Sequence, residues 1–322
     1  MTNKQPEGLK AGIYFNLSNE DYHNDPAVSC SNIKDLLISP LKYWDRSSLN
    51  HNKKHKETKA KTIGTALHCL LMEKEKFGED YIVLPKLEID SDFYRQESKK
   101  VGFDQNYELF ASKGSKTFKY IGSKTVIKEE EYEEINEAVN NLEAQGAASS
   151  LFKEGYAEVS IFWRDEETGL MCKCRPDYLT PNYIADYKSI ANIEMIERDL
   201  VSYKYHFQAA YYLEGLNQLK KSPPLLPKEI TKDWWEKLIN TDHNNFIFAF
   251  QGKESPYLVR LKALDQEVLE IGRQKFRLGL QIYKENIDKY GVNKWEDNYR
   301  RDGEGDIQIL GLVHLPNYIQ YR

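Results

Sequence analysis

The stretch YAEVSIFWRDEETGLMCKCRPDYLTPNYIADYKS, residues 156–189, decides the fold. Its first part alternates between apolar and polar residues, which is typical of a strand with one buried face. The apolar positions expected on that face are Ala157, Val159, Ile161 and Trp163. Turn residues at 166–169 and 181–182 separate this strand from a second at 170–179 and a third at 183–189. The sequence therefore predicts three consecutive antiparallel strands.

The short loop Pro181-Asn182 fixes how the second and third strands would pair. A two-residue hairpin loop places Asp177 directly opposite Asp186, with Cβ atoms about 4.5–5.5 Å apart. Like charges repel in that position, and a divalent metal held by both carboxylates would offset the repulsion. Lys188 follows Asp186 on the same face, about 6.6 Å further along the strand.

A four-residue turn at 166–169 would extend this row of charges to the first strand. Glu158 would then lie opposite Asp177, so that three carboxylates and one lysine line up across three strands. A register shift of one residue would remove Glu158 from the row. The set suits phosphodiester hydrolysis, because carboxylates hold one or two Mg²⁺ and a lysine orients water and neutralises developing charge. The alternative interpretation is an exposed sheet face with scattered charges.

The rest of the chain adds helices and two further strands. Helices are expected over 63–75, 128–145, 203–219 and 264–290, a short helix with Ser31 as its N-cap precedes them, and strands are expected at 246–251 and 257–261. This order predicts an α/β (α+β) fold, in which helices flank a central mixed sheet. We expect one domain over residues 1–322, with an N-terminal segment at 1–60 and a helical insertion at 81–150.

Short motifs in this chain resemble those of the PD-(D/E)XK nucleases. Arg175-Pro176-Asp177, followed by Asp186-Tyr187-Lys188, looks like the motif that gives the superfamily its name. Gly64-Thr65-Ala66-Leu67-His68 resembles the histidine helix of the RecB-type exonuclease branch, and Gln208 to Tyr212 resembles its Gln-x-x-x-Tyr motif. The segment 22–44 is similar to the RecE-type (exonuclease VIII-like) proteins of prophages. The resemblance covers about residues 20–220, and residues 222–322 match no motif.

The resemblance implies a restriction-endonuclease-like core and a role for each matching residue. The implied ligands of Mg²⁺ or Mn²⁺ are His68, Asp177, Asp186 and the backbone carbonyl of Tyr187. The implied catalytic residues are Lys188, Asp177, Asp186, Glu158, Gln208 and Tyr212. Lys188 would position the attacking water, whereas Gln208 and Tyr212, on one helix face, could support the lysine or contact the DNA backbone. Gly64, one turn before His68, would let that helix approach the sheet closely.

The charge balance limits how this chain could hold nucleic acid. It carries 45 Lys and Arg against 50 Asp and Glu, a net charge of −5, and its mean hydropathy is −0.68. Any binding must therefore come from a local basic patch. The lysine-rich run at 53–61 could form one or be a solvated loop. The residues that could receive a 5′-phosphate near a helix start are Ser29, Ser31, Lys42 and Arg46.

Cysteine usage and hydropathy indicate the compartment. Four cysteines in 322 residues are too few for a disulfide scaffold. Cys172 and Cys174 have no second pair to complete a zinc site, and no cysteine follows the lysine motif, which excludes the iron–sulfur cluster of related nucleases. No apolar run reaches about eighteen residues, and no apolar signal stretch follows Met1. We therefore expect a cytoplasmic protein that does not enter a membrane.

The resemblance implies a metal-dependent exodeoxyribonuclease that binds the ends of double-stranded DNA. It would degrade linear duplex in the 5′→3′ direction and leave 3′ single-stranded tails for a single-strand annealing recombinase as partner. A ring-shaped homo-oligomer would explain how a net-acidic chain stays on DNA, since encirclement replaces charge. Two alternatives stay open, namely an endonuclease or flap-type nuclease on the same fold, and a catalytically silent DNA-end-binding or scaffold protein. The complete Asp177, Asp186 and Lys188 set argues against silence.

Overall fold

The computed structural model describes residues 3–53, 59–84, 107–112, 115–120 and 123–297. Most of the predicted lysine run at 53–61 and part of the predicted insertion at 81–150 lie outside these residues. The strands, in chain order, are β1 (Gly12–Tyr14), β2 (Val28–Ser29), β3 (Tyr81–Leu84), β4 (Tyr107–Ser112), β5 (Ser115–Tyr120), β6 (Thr125–Lys128), β7 (Tyr156–Ala157), β8 (Ser160–Arg164), β9 (Met171–Cys174), β10 (Tyr178–Leu179), β11 (Ile184–Ile190), β12 (Phe246–Gly252) and β13 (Val259–Ala263).

Helices cover both faces of the sheets. They are α1 (Asn19–Asn24), α2 (Cys30–Leu36), α3 (Pro40–Arg46), α4 (Lys59–Met72), α5 (Lys74–Asp80), α6 (Glu129–Glu143), α7 (Gly146–Leu151), α8 (Ile196–Ser202), α9 (Tyr205–Lys221), α10 (Lys232–Asn240) and α11 (Gln266–Tyr290), with a 3₁₀ turn at Ile193–Met195. The sequence pattern predicted the long helices but not several short ones, among them α8 and α10. No helix in the described ranges is long and apolar enough to cross a membrane.

One long hairpin contributes to two sheets. The half next to its turn, formed by β8 and β9, lies in a sheet of order β1-β8-β9-β2. The other half, formed by β7 and β10, is the edge of a sheet of order β13-β12-β11-β10-β7. The same register runs through both halves, since Ile161 pairs with Cys174 and Ala157 pairs with Tyr178. The predicted strands 156–164 and 170–179 are therefore each interrupted, at Glu158 and at Arg175 to Asp177 respectively.

Glu158 causes the interruption of the first strand. Its φ of +51° lies in the left-handed region, which a strand residue does not adopt. Val159, Ile161 and Trp163 pack in the larger core, as predicted, but Ala157 packs against the second core. The predicted single face was thus wrong for Ala157, because the left-handed residue rotates the chain between β7 and β8.

The third strand, β11, pairs as predicted. Tyr178 pairs with Ala185 and Leu179 with Ile184, which confirms the register set by the loop at 181–182. On its other side β11 runs parallel to β12, and the crossover between them contains α8, α9 and α10. The five-stranded sheet is therefore mixed, and β11 lies at its centre.

The two faces of this sheet contact different helices. Phe246, Phe248 and Phe250 of β12 pack in the larger core, which also contains residues of α2, α9 and α11. The intervening Ala249 packs in the second core, with α4 and α6. Close helix contact is visible at Gly272 of α11, where an added Cβ would collide with the carbonyl of His206. Helices thus flank a mixed sheet, which confirms the predicted fold class.

The N-terminus of α2 departs from the prediction. Ser29 is the N-cap, not Ser31, because its side chain accepts from the amide of Asn32 while the Asn32 side chain accepts from the amide of Ser29. Ser29 also ends β2, so the chain passes from strand to helix without a loop.

Candidate active site

The interruption of the long hairpin opens a cleft of about 950 Å³. His68 of α4, Glu158 and Asp177 line it, and one ligand atom from each lies within 4.8 Å of the others. Helix α4 and the long hairpin, which are distant in sequence, thus meet at one point. The structure groups Glu158, rather than Asp186, with His68 and Asp177, which are two of the four predicted metal ligands.

Glu158 is held close to Asp177 by the backbone. The Glu158 amide donates to the Asp177 carbonyl over 3.1 Å, which continues the hairpin register and places the two residues opposite each other, as the sequence predicts. Burial, followed by the charge of Asp177, raises the pKa of Glu158 to about 8. The left-handed conformation of Glu158 costs about 1–2 kcal/mol. Such strain is typical of a functional position.

Asp177 is fixed by the neighbouring strand. Its Oδ2 accepts from the Tyr187 amide over 2.8 Å, and His68 Nδ1 lies 3.6 Å from the same oxygen. Burial raises the pKa of Asp177, although Lys188 opposes this. The Tyr187 ring meets the His68 ring edge-on at 5.2 Å, and its hydroxyl donates to Gln251 over 2.7 Å. Tyr187 thus supports two of the predicted ligands, while a ligand role for its own carbonyl stays a prediction.

Asp186 is fully buried beside this group and has different partners. Its Oδ2 accepts from Gln208 Nε2 over 2.8 Å. The Lys188 ammonium lies against its Oδ1 as an ion pair, but that oxygen receives no hydrogen bond of acceptable geometry among the described residues. Burial, with the charge of Asp177, raises the pKa of Asp186 to about 6. A second positive group at Oδ1 would therefore stabilise this carboxylate.

Lys188 remains charged in this setting. Burial alone would lower its pKa, but Asp186 and Asp177 outweigh that effect and raise it above its usual range. The Nζ atom also lies 5.4 Å from the centre of the Tyr205 ring. Lys188 can therefore donate a hydrogen bond near neutral pH, but it cannot act as a base there.

The two site residues predicted on α9, Gln208 and Tyr212, lie in different surroundings. Gln208 reaches Asp186 directly, so its amide supports the carboxylate that in turn holds Lys188. Tyr212, one turn later, packs its half-buried ring against Phe246 at 6.0 Å. The structure therefore brings Gln208 into the site and places the Tyr212 ring in the larger core.

Gly64 does not serve the packing role predicted for it. A Cβ added there would meet no atom of the described residues within 4 Å, so the glycine does not permit a close approach of α4 to the described sheet. Gly64 instead lines the cleft one turn before His68. Its missing side chain leaves room beside the candidate metal ligands.

Arg175 is a site residue to which the sequence pattern gave no role of its own. Its guanidinium donates to Ser160 over 2.8 Å and to Asn19 over 2.7 Å, and it lies 4.1 Å from the centre of the Tyr22 ring. Its charge opposes the rise in the pKa of Glu158. The sequence feature that could have identified Arg175 as a site residue is its position directly before Pro176-Asp177. Arg175 thus ties the interrupted hairpin to α1 beside the carboxylates.

Carboxylates dominate the wall of the cleft. Besides Glu158 and Asp177 it includes Glu20, Glu73 and Asp80, and no lysine or arginine of the described residues lines it. The sequence did not predict this excess of carboxylates, because Glu20 comes from α1, Glu73 is the residue that precedes α5, and Asp80 ends α5.

Comparison with known proteins agrees with this architecture. Residues 29–291 match the family described as PDDEXK-like domain of unknown function (DUF3799). The chain is also similar to a crystal structure of a protein from Eubacterium rectale that is named as a candidate exonuclease. The two are 13% identical, the match covers 93% of this chain and 98% of that one, and the TM-score is 0.54. Comparison with curated proteins finds no match.

The structural similarity, at this identity, shows a shared fold. The family match covers most of the chain and places its sequence motifs, from the helix-capping Ser29 to the end of α11, within one family. It confirms the predicted relationship to the PD-(D/E)XK superfamily. The chain belongs to the family of PDDEXK-like domains.

Proposed function

We propose that this protein is a metal-dependent exodeoxyribonuclease that degrades linear double-stranded DNA. The observation that carries the proposal is the meeting of His68, Glu158 and Asp177 within 4.8 Å, directly beside the buried pair of Asp186 and Lys188. A family of PDDEXK-like domains and a fold shared with a candidate exonuclease support the reaction class.

The donor atoms fit a divalent cation such as Mg²⁺ or Mn²⁺. Two carboxylates and one imidazole are available, and burial lowers the pKa of His68 to about 4, so its ring is neutral at neutral pH. The pKa values of Glu158 and Asp186 stay raised even though Arg175 opposes the rise for Glu158 and Lys188 opposes it for Asp186, so the protein's own cations do not fully compensate these buried carboxylates. A bound cation would neutralise these carboxylates and act as a Lewis acid toward a phosphate oxygen.

The protein groups around the carboxylates have separate tasks in this proposal. Lys188, held as an ammonium by Asp186, donates a hydrogen bond to the attacking water or to a non-bridging phosphate oxygen. Gln208 is a positioning residue, since it holds Asp186 through Oδ2 and thereby the lysine. Arg175 orients the interrupted hairpin and partly balances Glu158.

The charge distribution supports attack at DNA ends. The chain has a net charge of −5 and the cleft is lined by acidic residues, so one protomer would hold internal duplex sites weakly. We propose that the protein works as a ring-shaped homo-oligomer in the 5′→3′ direction, and that the resulting 3′ tails pass to a single-strand annealing partner. Encirclement would then replace electrostatic grip.

A comparison of DNA topologies tests the proposal. Linear duplex labelled at its 5′ or 3′ ends and covalently closed circles are incubated with and without Mg²⁺. We expect Mg²⁺-dependent release of 5′ label from linear DNA, intact circles, and a sedimenting species larger than 37.7 kDa. Linearisation of closed circles by a monomer would support the endonuclease alternative. Tight end binding without any cleavage would support the silent scaffold, and full activity in excess EDTA would exclude the metal-dependent mechanism.

A further inference from the structure

Three helices converge on one surface of the larger core. Helix α11 lies directly against α2, where a Cβ on Gly279 would collide with Ile33, and against α9, where a Cβ on Gly272 would collide with His206. Each contact is close to a lysine in sequence. Lys34 follows Ile33, Lys204 comes two residues before His206, and Lys275 lies between the two glycines. The packing of the helices therefore brings three lysines together.

The positive charge of this cluster is not balanced locally. Among the residues that the structure describes, no carboxylate oxygen comes within 4.0 Å of the amines of Lys34, Lys204 or Lys275. Burial lowers the pKa of Lys204, and Lys34, Lys275 and Lys42 lower it further, as expected for lysines that face one another. The charge of Asp35 opposes this lowering of the Lys204 pKa.

Asp35 is already engaged. Its carboxylate pairs with Lys42 at 3.3 Å and with Arg46 at 3.2 Å. The predicted phosphate-binding residues Lys42 and Arg46 are thus both directed to one acid, and Ser29 and Ser31 hydrogen-bond to each other over 3.0 Å. The amines of Lys34, Lys204 and Lys275, which pair with no carboxylate among the described residues, are better suited to an external anion.

Two tyrosines connect the lysine cluster to the candidate active site. The Tyr205 ring lies 5.4 Å from Lys188 Nζ, and the Tyr203 ring stacks on it with centroids 5.7 Å apart. Tyr203 is 59% exposed, and its carbonyl accepts from Lys34 Nζ over 3.0 Å. Lys204 stands between the two tyrosines with a φ of +56°, a left-handed conformation that lysine rarely adopts. This conformation lets neighbouring tyrosines stack side by side.

We propose that Lys34, Lys204, Lys275 and the exposed ring of Tyr203 form a track that holds a nucleic-acid strand on the α9 side of the candidate active site. The lysines bind successive phosphates, and Tyr203 stacks on a base that is unpaired at the duplex end. The inference rests on the proposed function and specifies how that site receives its substrate. The cleft on the α4 side is acidic and is unsuited to bind phosphates unless cations are present. The lysines of the track can bind phosphates directly.

Salt dependence of binding tests the lysines. Binding of a duplex is measured over a series of salt concentrations, in EDTA and with Lys188→Ala in every protein so that the DNA stays intact. Removal of two phosphate contacts by the pair Lys204→Ala and Lys275→Ala should reduce the slope of log K against log [salt] by about 1.8. Lys228→Ala, in an exposed loop, is the matched control and should leave the slope unchanged. An unchanged slope in the folded double variant, or no duplex binding by the parent, would overturn the track.

The ring of Tyr203 needs its own variant. Tyr203→Ala should lower affinity for a duplex with one frayed terminal base by roughly 5-fold to 100-fold, while Tyr203→Phe keeps it. A 2-aminopurine at the frayed position should be quenched by the parent but not by Tyr203→Ala. Equal quenching by the parent and by Tyr203→Ala would exclude base stacking on Tyr203. The exposed ring would then be better explained as a contact for a protein partner. Cleavage by the wild-type protein is measured separately. A folded double variant that binds normally would contradict the track, whereas an inactive wild-type protein would contradict the proposed function. The two failures are therefore distinguishable.

Discussion

Replacement of Glu158 by glutamine should stabilise the metal-free protein. Burial and Asp177 raise the pKa of Glu158 to about 8, against an ordinary value of 4.5. At pH 7 the folded chain therefore keeps this carboxyl protonated, whereas an unfolded chain would ionise it. The difference of 2.5 between the pH and the ordinary pKa corresponds to about 3 kcal/mol, reduced to about 2–3 kcal/mol by partial contact with solvent. Glutamine avoids this cost because it cannot ionise.

The sign of the pH dependence follows from the raised pKa. The stability of the wild-type protein is full below pH 4.5 and falls as the pH rises toward 8, where the native carboxyl finally ionises. The advantage of Glu158→Gln should therefore be small near pH 4.5 and large at pH 7 and above. With divalent metal present, the wild-type protein should be more stable than Glu158→Gln. A bound metal would stabilise the ionised Glu158 carboxylate, and the variant would offer that metal one ligand fewer.

Thermal denaturation in EDTA and in millimolar Mg²⁺, between pH 5 and 8, measures these effects. We expect Glu158→Gln to melt several degrees higher than the wild-type protein in EDTA at pH 7 and to gain less from Mg²⁺. Glu20→Gln is the matched control, because Glu20 is an exposed carboxylate on the same cleft. If Glu158→Gln melted at or below the wild-type temperature in EDTA and gained equally from Mg²⁺, Glu158 would not belong to the metal site.

Three further variants test the other groups. Lys188→Ala should reduce the cleavage rate by roughly 10²–10³ while duplex binding survives, because the ammonium stabilises developing charge but ligates no metal; a wild-type rate would exclude this role. His68→Ala should weaken Mn²⁺ binding more than Mg²⁺ binding in calorimetry, because Mg²⁺ prefers oxygen ligands; equal losses would argue against imidazole ligation. Gly64→Ala should stabilise α4 by about 1 kcal/mol, since the added Cβ meets no described residue within 4 Å; a lower melting temperature would show that the helix needs the glycine.

The sequence could predict most of the hairpin geometry because loop length fixes register. The loops at 166–169 and 181–182 placed Glu158 opposite Asp177 and set the pairing of β10 with β11, and both are observed. Alternation could not predict that Glu158 is left-handed, since any polar residue fits the outward face of a regular strand. The interruption depends on tertiary contacts such as those of Arg175 with Ser160 and α1.

Sequence patterns could not predict the contacts between helices that are far apart in the chain. The position of Gly64 one turn before His68 suggested close packing of α4 on the sheet, but no part of the chain that the structure describes approaches it, because Gly64 lines the cleft. The lysine cluster was missed for the opposite reason. Lys34, Lys204 and Lys275 are isolated in the sequence, and only the contacts of α11 with α2 and α9 bring them together.

The tripeptide Asp186-Tyr187-Lys188 links the two sides of the candidate site through strand alternation. Asp186 and Lys188 contact α9, through Gln208 and Tyr205. Tyr187 points to the other face, where its ring meets His68 of α4 and its amide holds Asp177. A shift of β11 by one residue would exchange these faces and move both Asp186 and Lys188 away from Gln208 and Tyr205 of α9. The parallel pairing of β11 with β12 opposes such a shift, because Phe248 and Phe250 are buried in the larger core while Ala249 faces the second. The core thereby fixes the position of the charged lysine relative to the carboxylates that are the candidate metal ligands.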